Sequence, residues 1–116
     1  MKWKVETNDL LYDGNKNIIR QGNPPKFLIG SPTCGEIVHL AFPILLNNSI
    51  LTDCCKFTTN NQTEFEKNGI KVTLEIDCKY HVNGKTILWL NELQQIYRNL
   101  TKQELNVDIT NIQKYI

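Results

Sequence analysis

From Ile70 to Val82 the chain alternates apolar and polar residues without a slip. Ile70, Val72, Leu74, Ile76, Cys78, Tyr80 and Val82 fall on one side of an extended backbone. Lys71, Thr73, Glu75, Asp77, Lys79 and His81 fall on the other. A period of two marks a strand with one dry face and one wet face. Asn-Gly pairs bracket the run at 68–69 and 83–84. Asn-Gly is the strongest local signal for a two-residue hairpin turn, because both residues tolerate positive φ. The run therefore demands antiparallel neighbours. Read as one strand, residues 70–82 span roughly 40 Å, about twice the usual strand length.

The two turns fix registers. With Asn68-Gly69 as a two-residue turn, Phe65 faces Val72 and Glu66 faces Lys71. With Asn83-Gly84 as another, Tyr80 faces Ile87 and Cys78 faces Trp89. Each is a sensible cross-strand pair. Together they conflict: the backbone groups of even-numbered residues address both flanking strands, which places both on one edge. Either a turn is longer or a bulge interrupts the strand. The unbroken alternation puts the irregularity in a turn, near Lys67-Asn68-Gly69.

Elsewhere the signals are shorter. Leu10 to Tyr12, Asp13-Gly14 and Ile18-Ile19 read as a hairpin. Gly22-Asn23-Pro24-Pro25 breaks the chain, and Lys26 to Gly30 reads as a short strand. Ser31-Pro32 and the Thr33-x-x-Glu36 box open a helix over about 33–42. Pro43 ends or kinks it, and Val38, Leu40 and Phe42 alternate equally well as a strand. Ile50 to Thr58 reads as a strand. Asn91 caps a helix over about 92–101, with Leu93, Ile96, Tyr97 and Leu100 as its stripe. Val107 and Ile109 read as an edge strand. The expected architecture is α+β: one domain, 1–116, with an antiparallel sheet of five to six strands. A meander around residues 70–82 forms its centre, packed by one or two helices. The expected core is Val72, Leu74, Ile76, Tyr80, Ile87, Trp89, Leu93 and Ile96.

Composition narrows the function classes. The chain has 116 residues, is 41% hydrophobic and 22% charged, and carries a formal net charge of +1. That is enough chain for a core without staples. The charge balance argues against a nucleic-acid partner, which calls for a clustered basic face. No run approaches the roughly 20 apolar residues of a membrane span. With no apolar leader at the N-terminus, the reading is cytoplasmic, and the four cysteines are thiols. Asn, Ile and Lys are abundant while Ala41 is the sole alanine. That bias resembles coding in an AT-rich genome, such as a low-GC bacterium or its phage.

Few residues suggest chemistry. Cys34, His39, Cys54, Cys55, Cys78 and His81 are six soft metal ligands in number. On a strand Cys78 and His81 face opposite ways, as do Cys54 and Cys55. No metal and no cofactor is expected. Cys34, in a first helical turn, is the best placed for a reactive thiolate, and Cys78 is expected to be buried. The loop Gly30–Gly35 offers Ser31, Thr33, Cys34 and Gly35 to an anion at a helix N-terminus. Glu64, Glu66 and Glu75 beside Lys71 read as solvated ion pairs.

A strand that outruns its domain offers its tip to a partner. The expected interaction surface is Tyr80, Asn83, Gly84, Ile87 and Leu88, for a protein partner or for self-association. The favoured reading is a non-catalytic interaction protein. It would be a small inhibitor of the toxin-neutralising or phage counter-defence type, or a virion assembly subunit. The alternatives are a small-molecule or nucleotide binder using residues 30–35, and a thiol-dependent enzyme.

Overall fold

A computed structural model describes residues 5–12, 17–22, 28–29 and 40–115. The fold is α+β. One sheet has four strands: β1 (Leu10–Tyr12), β2 (Ile18–Arg20), β3 (Leu28–Ile29) and β4 (Leu40–Pro43), in the order β2-β1-β4-β3. Its pairings are antiparallel except β3 on β4, which is parallel. The other sheet has five: β5 (Thr58–Thr59), β6 (Glu64–Lys67), β7 (Ile70–Leu74), β8 (Tyr80–Val82) and β9 (Lys85–Ile87). It is antiparallel throughout and ordered as a plain meander.

Both Asn-Gly turns are two-residue turns, with Lys67 opposite Ile70 and Val82 opposite Lys85. Asn68, Gly69, Asn83 and Gly84 all have the positive φ such turns require. Phe65 faces Val72 and Tyr80 faces Ile87 as the sequence implies. The expectation that fails is the single strand over 70–82. The chain folds back at Glu75–Lys79, so β7 and β8 pair with each other and Leu74 faces Tyr80. Glu75 donates its N–H to the Lys79 carbonyl at 3.0 Å, and Cys78 donates to the Glu75 carbonyl at 2.9 Å. Cys78 takes φ +63°. That is a three-residue hairpin loop closed by a left-handed residue. The fold-back also removes the edge conflict, since β6 and β9 now flank different strands.

Other segments also depart from expectation. Leu40–Pro43 is strand, not the end of a helix: a proline there lacks the helical N–H, and the residue before it prefers extended backbone. The rest of the expected 33–42 helix, residues 33–39, lies outside the described residues. Ile50–Cys54 is a π-helix and not a strand. Its Ile50, Leu51 and Cys54 are buried, and Cys55 follows them inward.

The helix α1 (Leu90–Thr101) begins one residue ahead of Asn91, with Trp89 and not Asn91 at the N-cap. Glu92 supplies the reciprocal cap, accepting the N–H groups of Leu88 at 3.0 Å and Trp89 at 3.1 Å through one carboxylate oxygen. Lys102 closes the helix in the left-handed region, donating to the Arg98 carbonyl. Val107 and Ile109 form no strand; a short α2 (Ile109–Ile112) runs into a 3₁₀ turn at Gln113–Tyr115. This tail packs back on the π-helix, where Asp108 donates to the Cys54 carbonyl at 2.9 Å.

One contiguous core serves the described residues. Leu10, Ile44, Leu46, Ile50, Phe65, Val72, Val82, Ile87, Leu90, Leu93, Tyr97, Leu105 and Ile112 all lie in it. Among the described residues one bridge, Leu45 opposite Trp89, stitches the sheets together. It is held by Leu46 N–H to the Leu88 carbonyl at 3.0 Å and Leu90 N–H to the Ile44 carbonyl at 2.8 Å. No helix among the described residues is long and apolar enough to cross a membrane.

Candidate functional site

The register of the meander determines which residues share an end of the sheet. Because Tyr80 opens β8 and its partner Ile87 closes β9, the β7–β8 turn and residues 88–89 lie at the same end. The Asn-Gly turns lie at the opposite end. Two apolar residues of the turn end are exposed: Ile76, wholly in water at the apex, and Leu88. The bridge brings Leu45, 58% exposed, beside Trp89. These two form a non-hydrogen-bonded pair, the kind in which side chains come closest. Phe42 is also exposed, further along the same segment, and its ring lies 5.8 Å from that of Tyr12. Single exposed apolar residues are ordinary, whereas several gathered at one end are not.

The wet face of the five-stranded sheet is polar from edge to edge. Glu64, Thr73, His81 and Thr86 stand in one row across β6 to β9. Lys71 pairs with Glu64 at 3.3 Å, both side chains well exposed, which fits the expected solvated pair. A depression of about 260 Å³ opens toward the β5 edge, lined by Thr58, Thr59, Asn61, Glu64, Glu66 and Lys71. Its polar groups largely satisfy one another. Thr58 donates to the Glu66 carbonyl, and Asn61 Oδ1 accepts the N–H groups of Thr63 and Glu64.

His81 joins three elements on this face. One ring nitrogen, Nε2, lies 3.3 Å from Asp77 Oδ2 in the β7–β8 turn, and Nδ1 lies 3.3 Å from Thr86 Oγ1 on β9. A hydroxyl, an imidazole and a carboxylate in series have the composition of a nucleophile, base and orienting acid. Here they lie on an open sheet surface, and the depression belongs to the other edge. The Asp77 carboxyl is held below the usual range, first by the Lys79 N–H and then by His81 and Lys79.

The thiols divide sharply. Burial pushes Cys54 up to about 11, with the charges of Asp108 and Asp53 adding to it. Burial pushes Cys55 up to about 12, with Cys54 adding to it. Neither supplies thiolate at neutral pH. Cys78 is exposed at the hairpin turn, contrary to the expectation that it is buried. Its place in a left-handed turn, and not in a strand, is the reason. Among the described residues no three His, Cys, Asp or Glu side chains gather as a metal site.

Of the residues singled out from sequence, Ser31, Thr33, Cys34 and Gly35 lie outside the described residues. Tyr80 and Ile87 are core residues; Tyr80 also donates to Asn48 Oδ1 at 2.6 Å. They are not available on a surface. Asn83 and Gly84 are exposed, but at the end of the sheet away from Leu88. Ile76, assigned to the core, is the most exposed apolar residue of the chain's described part. Leu45 and Ile76 are the surface residues that the sequence hides. The signal for Ile76 was present in the edge conflict, which a fold-back inside 70–82 resolves. No protein-family model matches the chain, and neither a curated protein nor a solved structure matches it.

Proposed function

We propose that the chain is a non-catalytic binding protein that engages a protein partner through the turn end of its five-stranded sheet. The observation that carries this reading is the gathering of Ile76, Leu88, Leu45 and Trp89 at that end, with Ile76 fully in water. Burying them on a partner supplies the apolar centre of an interface, and the carboxylates of Glu75 and Asp77 and the ammonium of Lys79 supply its polar rim. The tip is built on a short, tightly paired hairpin, so little order has to be bought on binding. Such a surface suits a small inhibitor capping its target, toxin-neutralising or counter-defence in type, or a subunit of a virion or other assembly. Free thiols at 54, 55 and 78 suit a reducing, cytoplasmic setting.

The test compares wild type with the double variant Ile76→Asp, Leu45→Asp. Sizing by light scattering and quantitative co-purification from host extract are the readouts, with urea unfolding as the control. The expected result is loss of the complex with the fold retained. A one-to-one complex of wild type identifies an inhibitor, and a ladder of multiples identifies an assembly subunit. Equal recovery of the same partner by wild type and variant overturns the proposal.

A further inference from the structure

We infer that Asn83 is a site of spontaneous covalent modification, through a cyclic imide formed with Gly84, and that Tyr97 protects the matching Asn68-Gly69 pair from the same reaction. The sequence has two Asn-Gly pairs. A following glycine, with no Cβ, lets its backbone nitrogen close on the asparagine side chain. The two turns share one backbone conformation. Asn68 and Asn83 both have φ +52°, while Gly69 has φ +83° and Gly84 φ +78°. At both glycines the space a Cβ would take is open. All four residues are exposed. The difference lies in the side chains. Asn68 donates its Nδ2–H to the hydroxyl of Tyr97 at 2.6 Å, and Tyr97 on α1 is only 2% exposed. The Asn83 carboxamide has no hydrogen-bond partner among the described residues.

The reaction balances with water as its only reagent. The Gly84 nitrogen loses its proton to solvent and attacks Asn83 Cγ. The new N–Cγ bond closes a five-membered ring. The Cγ–Nδ2 bond breaks, and Nδ2 takes a proton from solvent and leaves as ammonia. Water then opens the ring at either carbonyl. One opening gives aspartate, and the other gives isoaspartate, whose main chain runs through the former side chain. At Asn68 the atom that must leave is the one Tyr97 holds. Attack also requires the asparagine to leave the left-handed region, so the turn must open first. The β8–β9 turn is the easier to open. Its strands have three residues each and β9 ends the sheet, whereas β6 and β7 have four and five and lie inside it. Either product places a carboxylate on the turn and cancels the formal net charge of +1. Isoaspartate also adds a methylene to a two-residue turn, and Val82 then no longer meets Lys85 in register. This end of the sheet lies away from Ile76, so the inference is independent of the binding proposal.

Incubation of the whole protein in warm, mildly alkaline buffer, followed by peptide mapping by mass, tests this. The exchange of amide for carboxylate is measured at each pair, and fragmentation separates aspartate from isoaspartate. A sample held unfolded in guanidinium chloride calibrates the intrinsic rate at each pair. Relative to that calibration, the folded protein is expected to convert Asn83 about two- to ten-fold faster than Asn68, the range that one net hydrogen bond supplies. Tyr97→Phe keeps the ring and removes the hydroxyl. It is expected to speed conversion at Asn68 by a similar factor and to leave the rate at Asn83 unchanged. Equal or faster conversion at Asn68 in wild type, or an Asn83 that stays intact while the unfolded sample converts, overturns the inference. An Asn68 rate that Tyr97→Phe leaves unchanged overturns the protective role of Tyr97.

Discussion

The five-stranded sheet and the seam between the N-terminal hairpin and α1 are held by opposite means. The sheet closes over Phe65, Val72, Val82 and Ile87, all essentially removed from water, and its registers come from two-residue turns. The seam is polar. Arg98 of α1 donates to Glu6 at 2.7 Å, to Asp9 at 3.1 Å and to Glu104 at 2.6 Å. The buried Asp9 also accepts the Glu6 N–H and the Gln95 amide, each at 2.8 Å. Gln94, wholly buried, accepts the Leu10 N–H and donates to the Asn8 carbonyl. The sheet is built from neighbours in sequence, and the seam from residues more than eighty positions apart. Apolar burial tolerates inexact placement, whereas a buried polar network is stable only when each member meets its partner.

The largest expected effect strikes the sheet. Phe65→Ala removes a fully buried ring that meets Tyr80 edge-on at a centroid distance of 6.4 Å. The loss is expected at about 3–5 kcal/mol, measured by urea unfolding, since the flanking strands cannot fully collapse into the space. A loss below about 1 kcal/mol means the sheet does not carry the core.

The seam comes next. Arg98→Ala strands Asp9 in the interior, and the expected loss is about 2–3 kcal/mol, reduced because a fifth of the guanidinium side chain meets water. Acid separates the two carboxylates. Burial by itself raises Glu104, but the hydrogen bonds of Arg98 and Asn8 and the charges of Arg98 and Arg20 outweigh it and hold the group low. Its stabilisation is present above pH 4.5 and is lost as pH falls through the lowered value. Asp9 is raised, first by burial, against the Glu6 N–H and the Gln95 and Arg98 contacts. Its contribution has the other sign, since the folded chain gains stability as pH falls through the raised value. Glu104→Gln is therefore expected to flatten the fall in stability between about pH 5 and pH 3. A steeper fall in that variant breaks the assignment.

The same contrast explains what the sequence discloses. Both Asn-Gly turns, the cross-strand pairs Phe65–Val72 and Tyr80–Ile87, and the helix at residues 90–101 are local, and local patterns reveal them. The fold-back at 75–79 is local too, yet the alternation conceals it. Leu74 and Tyr80 are partners, so both point to the dry face, and the five residues between them preserve the even-numbered rhythm. Only Asp77, a turn-forming residue two before the N–H it accepts, breaks the reading. The left-handed position went to cysteine and not glycine, so the usual mark was missing. The π-helix at Ile50–Cys54 is concealed differently, because a single turn is too short for the buried Ile50, Leu51, Cys54 and Cys55 to establish a period. Nothing in the spacing of Asp9, Gln94 and Arg98 could announce the seam. Of the proposed surface, Leu88 was legible and Ile76 was misplaced.

A smaller effect separates turn chemistry from packing. Gly84 sits at φ +78° with open space where a Cβ would go. Gly84→Ala is expected to cost about 1 kcal/mol through backbone strain alone. A cost well above that means the β8–β9 turn is packed against something.

The smallest expected effect bears on the sharpest difference between pattern and structure. If residues 70–82 formed one strand, Ile76 would be buried beside Leu74, and Ile76→Ser would cost about as much as other core truncations, 2 kcal/mol or more. In the folded-back chain Ile76 is fully exposed. The substitution then removes no buried surface, and the expected change in the urea midpoint is within about 0.5 kcal/mol of zero. Thiol labelling gives an independent view of the same turn. A brief iodoacetamide pulse is expected to modify Cys78 well before Cys54 or Cys55, which burial both shields and holds as thiols. A continuous strand gives the opposite pair of results: a costly Ile76→Ser and a protected Cys78. The two measurements share no assumption about side-chain energetics. Agreement between them therefore locates the turn, and places Ile76 where a partner can reach it.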